Sequence, residues 1–309
     1  MSKTLFLFLF FPAFVFAQTA KEYFKSANQK ADSAKYSEAE LLYTKAITID
    51  SQYTDAYWNR GQVRGELKDI KGCIQDLDKV ILLNPKNIRA FSVRAGAKYF
   101  QKDFSGAISD YTAVILMAPN NAAAYAGRAS AKNALRDYNG AIADYSYAIS
   151  ANDNHKGDYF NNRGNVKLRL DDYKGAIADF TESIKSDASA IAYMSRGSAE
   201  RHEHDYKDAL ADFTEAIETY KYKSQSAKGA SAVAYEGRGE VKQDAGDYKG
   251  ALDDFEQALV INPTFGKAYY GRGEMKNKLN DKEGACSDWQ TAINLGFKQA
   301  MDDINKYCK

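Results

Sequence analysis

One pattern recurs along almost the whole chain, mostly at a spacing of 34 residues, and it constrains the fold more than any other feature. Its clearest copy runs from Tyr125 through Arg128-Ala129, Asp137-Tyr138, Ala141, Asp144-Tyr145 and Ala148. The frame returns at Tyr193, Arg196-Gly197, Asp205-Tyr206, Ala209, Asp212-Phe213 and Ala216, and again at Tyr235, Arg238-Gly239, Asp247-Tyr248, Ala251, Asp254-Phe255 and Ala258. Within each copy, small residues at positions 8 and 20 let two helices approach closely. Aromatic residues at positions 4, 17 and 24 fall at helical intervals and fill the space between them. A short polar stretch ending in pairs such as Asp137-Tyr138 breaks the first helix. Each copy therefore reads as a helical hairpin. A single hairpin buries too little apolar surface to offset its chain entropy, so such units must stack on one another.

The frame resembles the tetratricopeptide repeat, with its aromatic, small residue, Ala, aromatic and Pro signature. Pro85, Pro119 and Pro263 take the final place of that signature. Eight copies are expected, at 20–53, 54–87, 88–121, 122–156, 157–189, 190–231, 232–265 and 266–296. Phe297, Ala300, Met301, Ile304 and Cys308 then predict a capping helix over 297–308. The expectation is an all-α protein, an α-solenoid forming a right-handed superhelix of about eight hairpins plus a C-terminal cap, with residues 18–309 as one solenoid domain. Residues 221–231 break the period as a polar and basic insertion lying outside the packed hairpins, expected to emerge as a loop or a helix extension.

The chain departs from the family pattern at position 7, commonly Leu, which is Arg60, Arg94, Arg128, Arg163, Arg196, Arg238 and Arg272. Position 23 is correspondingly Asp76, Asp110, Asp144, Asp179, Asp212, Asp254 and Asp288. The first copy has Ser26 and Leu42 and lacks both members together. This predicts a structural ladder of ion pairs, because a guanidinium grips a carboxylate through two hydrogen bonds. An anion-binding row of arginines is the competing reading, and the matched aspartates argue against it.

Residues 1–17 read as a secretory signal peptide. Lys3 precedes the apolar run Leu5–Phe16, and Val15-Phe16-Ala17 resembles a small-residue cleavage site. That run is too short to span a bilayer, so the mature chain is expected to be exported, periplasmic or secreted, and not an integral membrane protein. Of the 42 basic residues only Lys3 lies in that segment, so basic and acidic residues then balance at 41 each. That balance gives no expectation of a nucleic-acid partner. Three cysteines cannot build a disulfide framework. Cys286 and Cys308 would lie side by side on neighbouring helices and form a possible disulfide. Cys73 stands where the other copies have Ala and reads as a small core residue.

The resemblance implies that first helices line a concave face and that positions 2, 5, 6, 9, 12 and 13 touch ligands. The candidate groove then contains Phe24, Asn28, Trp58, Asn59, Gln62, Tyr99, Asn161, Asn162 and Asn165, with Glu236, Glu240, Asp244 and Glu274 making its far end acidic. The family's carboxylate clamp is matched by Asn28, Asn59 and Arg89 but not by Phe24 or Val93, so that clamp is not expected. The resemblance implies a non-catalytic scaffold or adaptor that holds an extended segment of a protein or peptide partner. A glycan or peptidoglycan binder using Trp58, Tyr99 and Tyr270 as stacking platforms is the alternative. No catalytic motif, metal or cofactor is expected. His202-Glu203-His204-Asp205 places ligands two apart at a helix end, where they share no face.

Overall fold

The computed structural model describes residues 19–151, 154–221 and 225–308, and every regular element among them is an α-helix. The segment read as a signal peptide lies outside the described residues. The chain divides into two compact units between Pro119 and Asn120. The first contains α1 (Ala20–Asp32), α2 (Tyr36–Ile49), α3 (Thr54–Glu66), α4 (Ile70–Leu83), α5 (Ile88–Phe100) and α6 (Phe104–Met117). The second begins with α7 (Ala122–Ala134), α8 (Tyr138–Ser150), α9 (Lys156–Leu168), α10 (Tyr173–Ser186), α11 (Ala190–His202) and α12 (Tyr206–Lys221). It continues through α13 (Gln225–Asp244), α14 (Tyr248–Ile261), α15 (Gly266–Lys278), α16 (Lys282–Asn294) and the closing α17 (Ala300–Tyr307).

Within each unit a helix packs mainly on its hairpin partner and on the next helix in the chain, the serial stacking of an α-solenoid. The hairpin turn has a recurring local cause. Asp69, Asp103, Asp137, Asp172, Asp247 and Asp281 cap their second helices by accepting a hydrogen bond from the backbone N–H three residues on. The residue before each of these aspartates has a positive φ, from Asp171 at 56° to Gly246 at 83°, and only Gly246 adopts that region without a side-chain penalty.

The small positions are where the hairpin closes. Ala107, Ala141, Ala176, Ala209, Ala251 and Ala285 are fully buried at position 20, with Cys73 in the same place in the second repeat. Burial raises the Cys73 thiol above its ordinary pKa, as expected of a packed and unreactive group. The rings of Phe180, Phe255 and Trp289 are also buried. Each lies so close to a neighbouring first helix that only glycine fits opposite. A Cβ on Gly271 would sit 2.6 Å from Cζ of Phe255, whereas one on Gly65 would meet nothing. Gly271→Ala should therefore destabilise the protein by about 1–3 kcal/mol through overpacking. Gly65→Ala should leave it unchanged or more stable by up to about 1 kcal/mol, as helix propensity dictates. Urea midpoints measure both, and equal effects would remove close packing as the reason for the Gly271 position.

The inserted stretch extends the flanking helices, one of its two expected outcomes: α12 runs on to Lys221 and α13 already starts at Gln225. One boundary differs from the sequence expectation. The cap is shorter than 297–308, since Gly296 turns the chain with φ 92° and α17 begins only at Ala300.

Candidate functional site

The arginine and aspartate series forms one motif repeated seven times. Each guanidinium presents Nε and one Nη to both oxygens of the aspartate sixteen residues later, as in Arg163 to Asp179 at 2.9 and 2.6 Å. The same fork joins Arg60 to Asp76, Arg94 to Asp110, Arg128 to Asp144, Arg196 to Asp212, Arg238 to Asp254 and Arg272 to Asp288. All seven aspartates are at most 4 % exposed. The pair therefore lies within one hairpin. A third contact reaches the preceding hairpin: the other Nη donates to Thr44 from Arg60, Ser146 from Arg163, Thr181 from Arg196 and Thr214 from Arg238, and Arg94 pairs with Asp78. The position-4 ring lies under each guanidinium, from 5.2 Å for Tyr269 beneath Arg272 to 5.9 Å for Tyr193 beneath Arg196. These arginines are consumed by structure and leave no free anion-binding row.

A further member of the motif escaped the sequence reading. The residue four positions after the arginine is also basic in six of the seven hairpins and binds the same aspartate. Lys98, Lys132, Lys167, Lys242 and Lys276 bring Nζ within 2.8 to 2.9 Å of the aspartate oxygen, and Arg64 comes within 3.0 Å of Asp76. The signal was present in the same self-alignment, at position 11 of each copy.

In the first unit, Asn28, Asn59 and Gln62 come together with Tyr36, Tyr43 and Glu66 around a cavity of about 440 Å³. Asn28 Oδ1 accepts from the Tyr43 hydroxyl at 2.5 Å and from Asn59 Nδ2 at 2.9 Å, which fixes the amide flip and aims its own Nδ2 donors away from these partners. Phe24, expected to line the groove, is instead half-buried among rings, 5.8 Å from Tyr43 and 4.9 Å from Tyr53. Its side chain packs from α1 against a ring of α2 and a ring at the start of α3. Trp58 is apart from the cavity and borders a smaller hollow of about 150 Å³ with Asp55, Asn87 and Arg89. The Arg89 guanidinium lies 5.1 Å over its ring. Tyr99 packs edge-on against Phe104 at 5.3 Å.

In the second unit, Asn165 reaches a groove of about 370 Å³ lined by Leu168, Ile191, Met194, Ser195, Val233 and Glu236 from α9, α11 and α13. Ile191 and Val233 are exposed there. Asn165 Nδ2 donates to the Asn161 carbonyl at 3.0 Å, while the buried Asn161 Oδ1 has no hydrogen-bond partner. Asn162 is exposed. Next to the groove is a hollow of about 150 Å³ lined by Glu240, Gln243, Lys267, Tyr270 and Glu274. Lys267 Nζ stands 2.7 Å from both Glu236 and Glu240, and Arg201 pairs with Glu240 and Asp244. Burial above all, then the neighbouring Glu240, raises the Glu236 pKa, with Lys267 opposing. Burial likewise raises Glu274 and the Tyr270 phenol. The arrangement offers apolar contacts, the Asn165 side chain and carboxylates to a chain laid across the first helices. His202 stacks on Tyr173 at 4.5 Å and His204 bonds the Tyr206 hydroxyl, so the His-Glu-His-Asp run is engaged by its neighbours.

Residues 54–87 and 161–226 match family models described as tetratricopeptide repeat. A repeat-protein fragment from Cytophaga hutchinsonii superposes with a TM-score of 0.66 at 19% identity, covering 80% of this chain and 98% of that one. A tetratricopeptide repeat protein from Parabacteroides merdae gives 0.63 at 20% identity, covering 82% of this chain and 98% of that one. At these identities the likeness shows the fold. The Hsp70/Hsp90 co-chaperone CNS1 of Saccharomyces cerevisiae is 27% identical over 88 residues, which are 27% of this chain and 23% of the co-chaperone. The chain thus aligns with under a quarter of that relative's length. With its serial helical hairpins, this protein has an α-solenoid fold, and its residues 54–87 and 161–226 are similar to tetratricopeptide repeats.

Proposed function

We propose that the chain is a non-catalytic scaffold for protein partners, exported from the cytoplasm, that holds an extended partner segment along the first helices of the second unit. The observation that carries this reading is the groove beside Asn165, where exposed Ile191 and Val233 offer apolar contact to a chain laid across α9, α11 and α13. Serial hairpins supply a long surface of this kind, and the matched repeats and the similar co-chaperone segment support a protein-binding role. The apolar run Leu5–Phe16 and the disulfide between Cys286 and Cys308 support export, since such bonds persist in oxidising compartments. Among the described residues, no helix is long and apolar enough to cross a membrane.

The glycan reading is less favoured, because Trp58, Tyr99 and Tyr270 are already engaged by Arg89, Phe104 and Phe297. The scaffold reading is tested by placing a photo-crosslinking residue at Asn162 in the native cell and identifying the protein captured. The purified partner should then bind Asn161→Ala/Asn162→Ala/Asn165→Ala on the order of tenfold more weakly than the parent, as loss of central contacts at an interface requires. Unchanged affinity would remove this groove from the binding surface.

A further inference from the structure

Hairpin 6, formed by α11 and α12, breaks the motif that its six sisters keep. Where the others place Lys or Arg four residues after the ladder arginine, it has Glu200, and where they have Gly72, Gly106, Gly140, Gly175, Gly250 and Gly284, it has Asp208. In three sisters the lysine ammonium also binds the carbonyl of that glycine, Lys132 to Gly140 at 3.4 Å, Lys167 to Gly175 at 3.1 Å and Lys242 to Gly250 at 3.2 Å. The two substitutions therefore change one place: a site built around an ammonium now holds carboxyl groups. Glu200 is only 7 % exposed, and its Oε2 has no hydrogen-bond partner. Its nearest cation, Arg196 Nε at 3.6 Å, already bonds Asp212 at 2.7 Å. The cap of α12 is loosened as well, since Asp208 N–H stands 3.4 Å from the Asp205 carboxylate against 2.9 to 3.0 Å in the sisters.

We infer that hairpin 6 is a proton-binding hairpin: Glu200 takes up a proton where its sisters hold a lysine charge, and losing that proton weakens the pairing of α11 with α12. A neutral carboxyl is the form that a buried site facing the Asp212 carboxylate accepts, and its O–H can be shared with that neighbour. The charged groups around it leave no spare cation. Asp208 and Asp212 on α12 and Asp205 in the turn are all acidic, and Arg196 is spent on Asp212. On the helices packed against α11, Lys167 of α9 is held by Asp179, Lys174 of α10 lies beside Glu203, and Glu240 and Asp244 of α13 are held by Arg201. Burial first and the Asp212 charge second push Glu200 up to about 7, against 4.5 for an ordinary glutamate.

The sign follows from linkage. The folded state binds the extra proton between the unfolded and the folded values, so stability falls as pH rises from about 4.5 to about 7 and stays lowered above that. Across that window the folding equilibrium of the full chain should weaken by a further factor of ten to a hundred, order of magnitude, compared with Glu200→Gln. The difference between the two proteins matters, because Glu236 and Glu274 contribute a slope of the same sign in both.

The experiment is urea unfolding of the parent, Glu200→Gln and Glu200→Lys at a series of pH values across neutrality, monitored by far-UV circular dichroism. Glu200→Gln should lose the extra slope, and Glu200→Lys, which returns an ammonium to Asp212, should be the most stable above pH ~7. A direct reading is the carboxyl carbon-13 resonance absent from Glu200→Gln spectra, whose midpoint should lie near neutrality. Identical slopes in parent and Glu200→Gln, a midpoint at the ordinary glutamate value, or a Glu200→Lys protein less stable than the parent at alkaline pH would each overturn the inference.

Discussion

Replacing Arg163 alone by Leu will destabilise the second unit by about 3–5 kcal/mol, while replacing Arg163 and Asp179 together by Leu will cost less than either single change. The single change leaves the Asp179 carboxylate, 3 % exposed, with Lys167 as its remaining cation, and also deletes the hydrogen bond to Ser146 that ties hairpin 5 to hairpin 4. Asp179→Leu leaves two cations, Arg163 over the Phe160 ring and Lys167, sharing the same small space without their carboxylate. The double change removes both desolvation penalties and leaves Lys167, which retains the Gly175 carbonyl and can extend its flexible stem toward water. Urea unfolding of the four proteins completes a double-mutant cycle, and coupling above about 1 kcal/mol is expected. Purely additive costs would mean that the two side chains act separately and that the ladder does not hold the hairpin together.

That ladder shows how much a repeat sequence discloses. Arg and Asp recur at fixed places with a constant separation, and the first hairpin drops both at once, so the pairing was legible without coordinates. The lysine of the same motif was equally periodic but passed unnoticed, because exposed lysines are common and one at position 11 carries no visible partner in sequence. The hairpins were legible for the same reason of periodicity. The groove was less so. Whether a side chain at a given helix position faces a cavity or a neighbouring ring depends on the helix beside it, and Phe24 lies between the rings of Tyr43 and Tyr53. The insertion before hairpin 7 was located by the break in period, but its conformation was not, since polar residues such as Gln225 and Ser226 suit a loop and a helix end alike.

Departures from the repeat carry more information than the repeat itself. Glu200 and Asp208 become meaningful only against their six sisters, where the same positions are basic and glycine. A single hairpin of this sequence would give no ground for remark. The same reasoning separates scaffold from site: residues that recur in seven of the eight hairpins, such as the ladder arginines, hold the fold, and the proposed recognition rests on residues outside that pattern, such as Asn161 and Asn165.

Reduction of the Cys286 to Cys308 bond will release the C-terminal cap and expose Trp289, at a cost of about 3 kcal/mol for docking of α17. The bond closes a loop with a sequence separation of 22 residues, and chain-entropy arguments assign that constraint roughly this magnitude. The helix it secures has only 8 residues, too few to persist without its contacts. Those contacts include Ala300, Ile304 and Phe297 against the last hairpin, with the Tyr307 ring 5.8 Å from that of Trp289. Trp289 is 1 % exposed with the cap in place, and the chain's other tryptophan, Trp58, belongs to the first unit. Red-shifted and more quenchable emission should therefore appear on reduction and in Cys286→Ala/Cys308→Ala, while a Trp58→Phe background removes the second emitter. Thiol titration in denaturant should find one reactive group before reduction, Cys73, and three after it. Because each hairpin leans chiefly on its neighbours, the loss should stay near α15 and α16 and spare the first unit. Unchanged Trp289 emission after complete reduction would show that side-chain packing alone holds the cap, and the bond would then be dispensable for closing the stack.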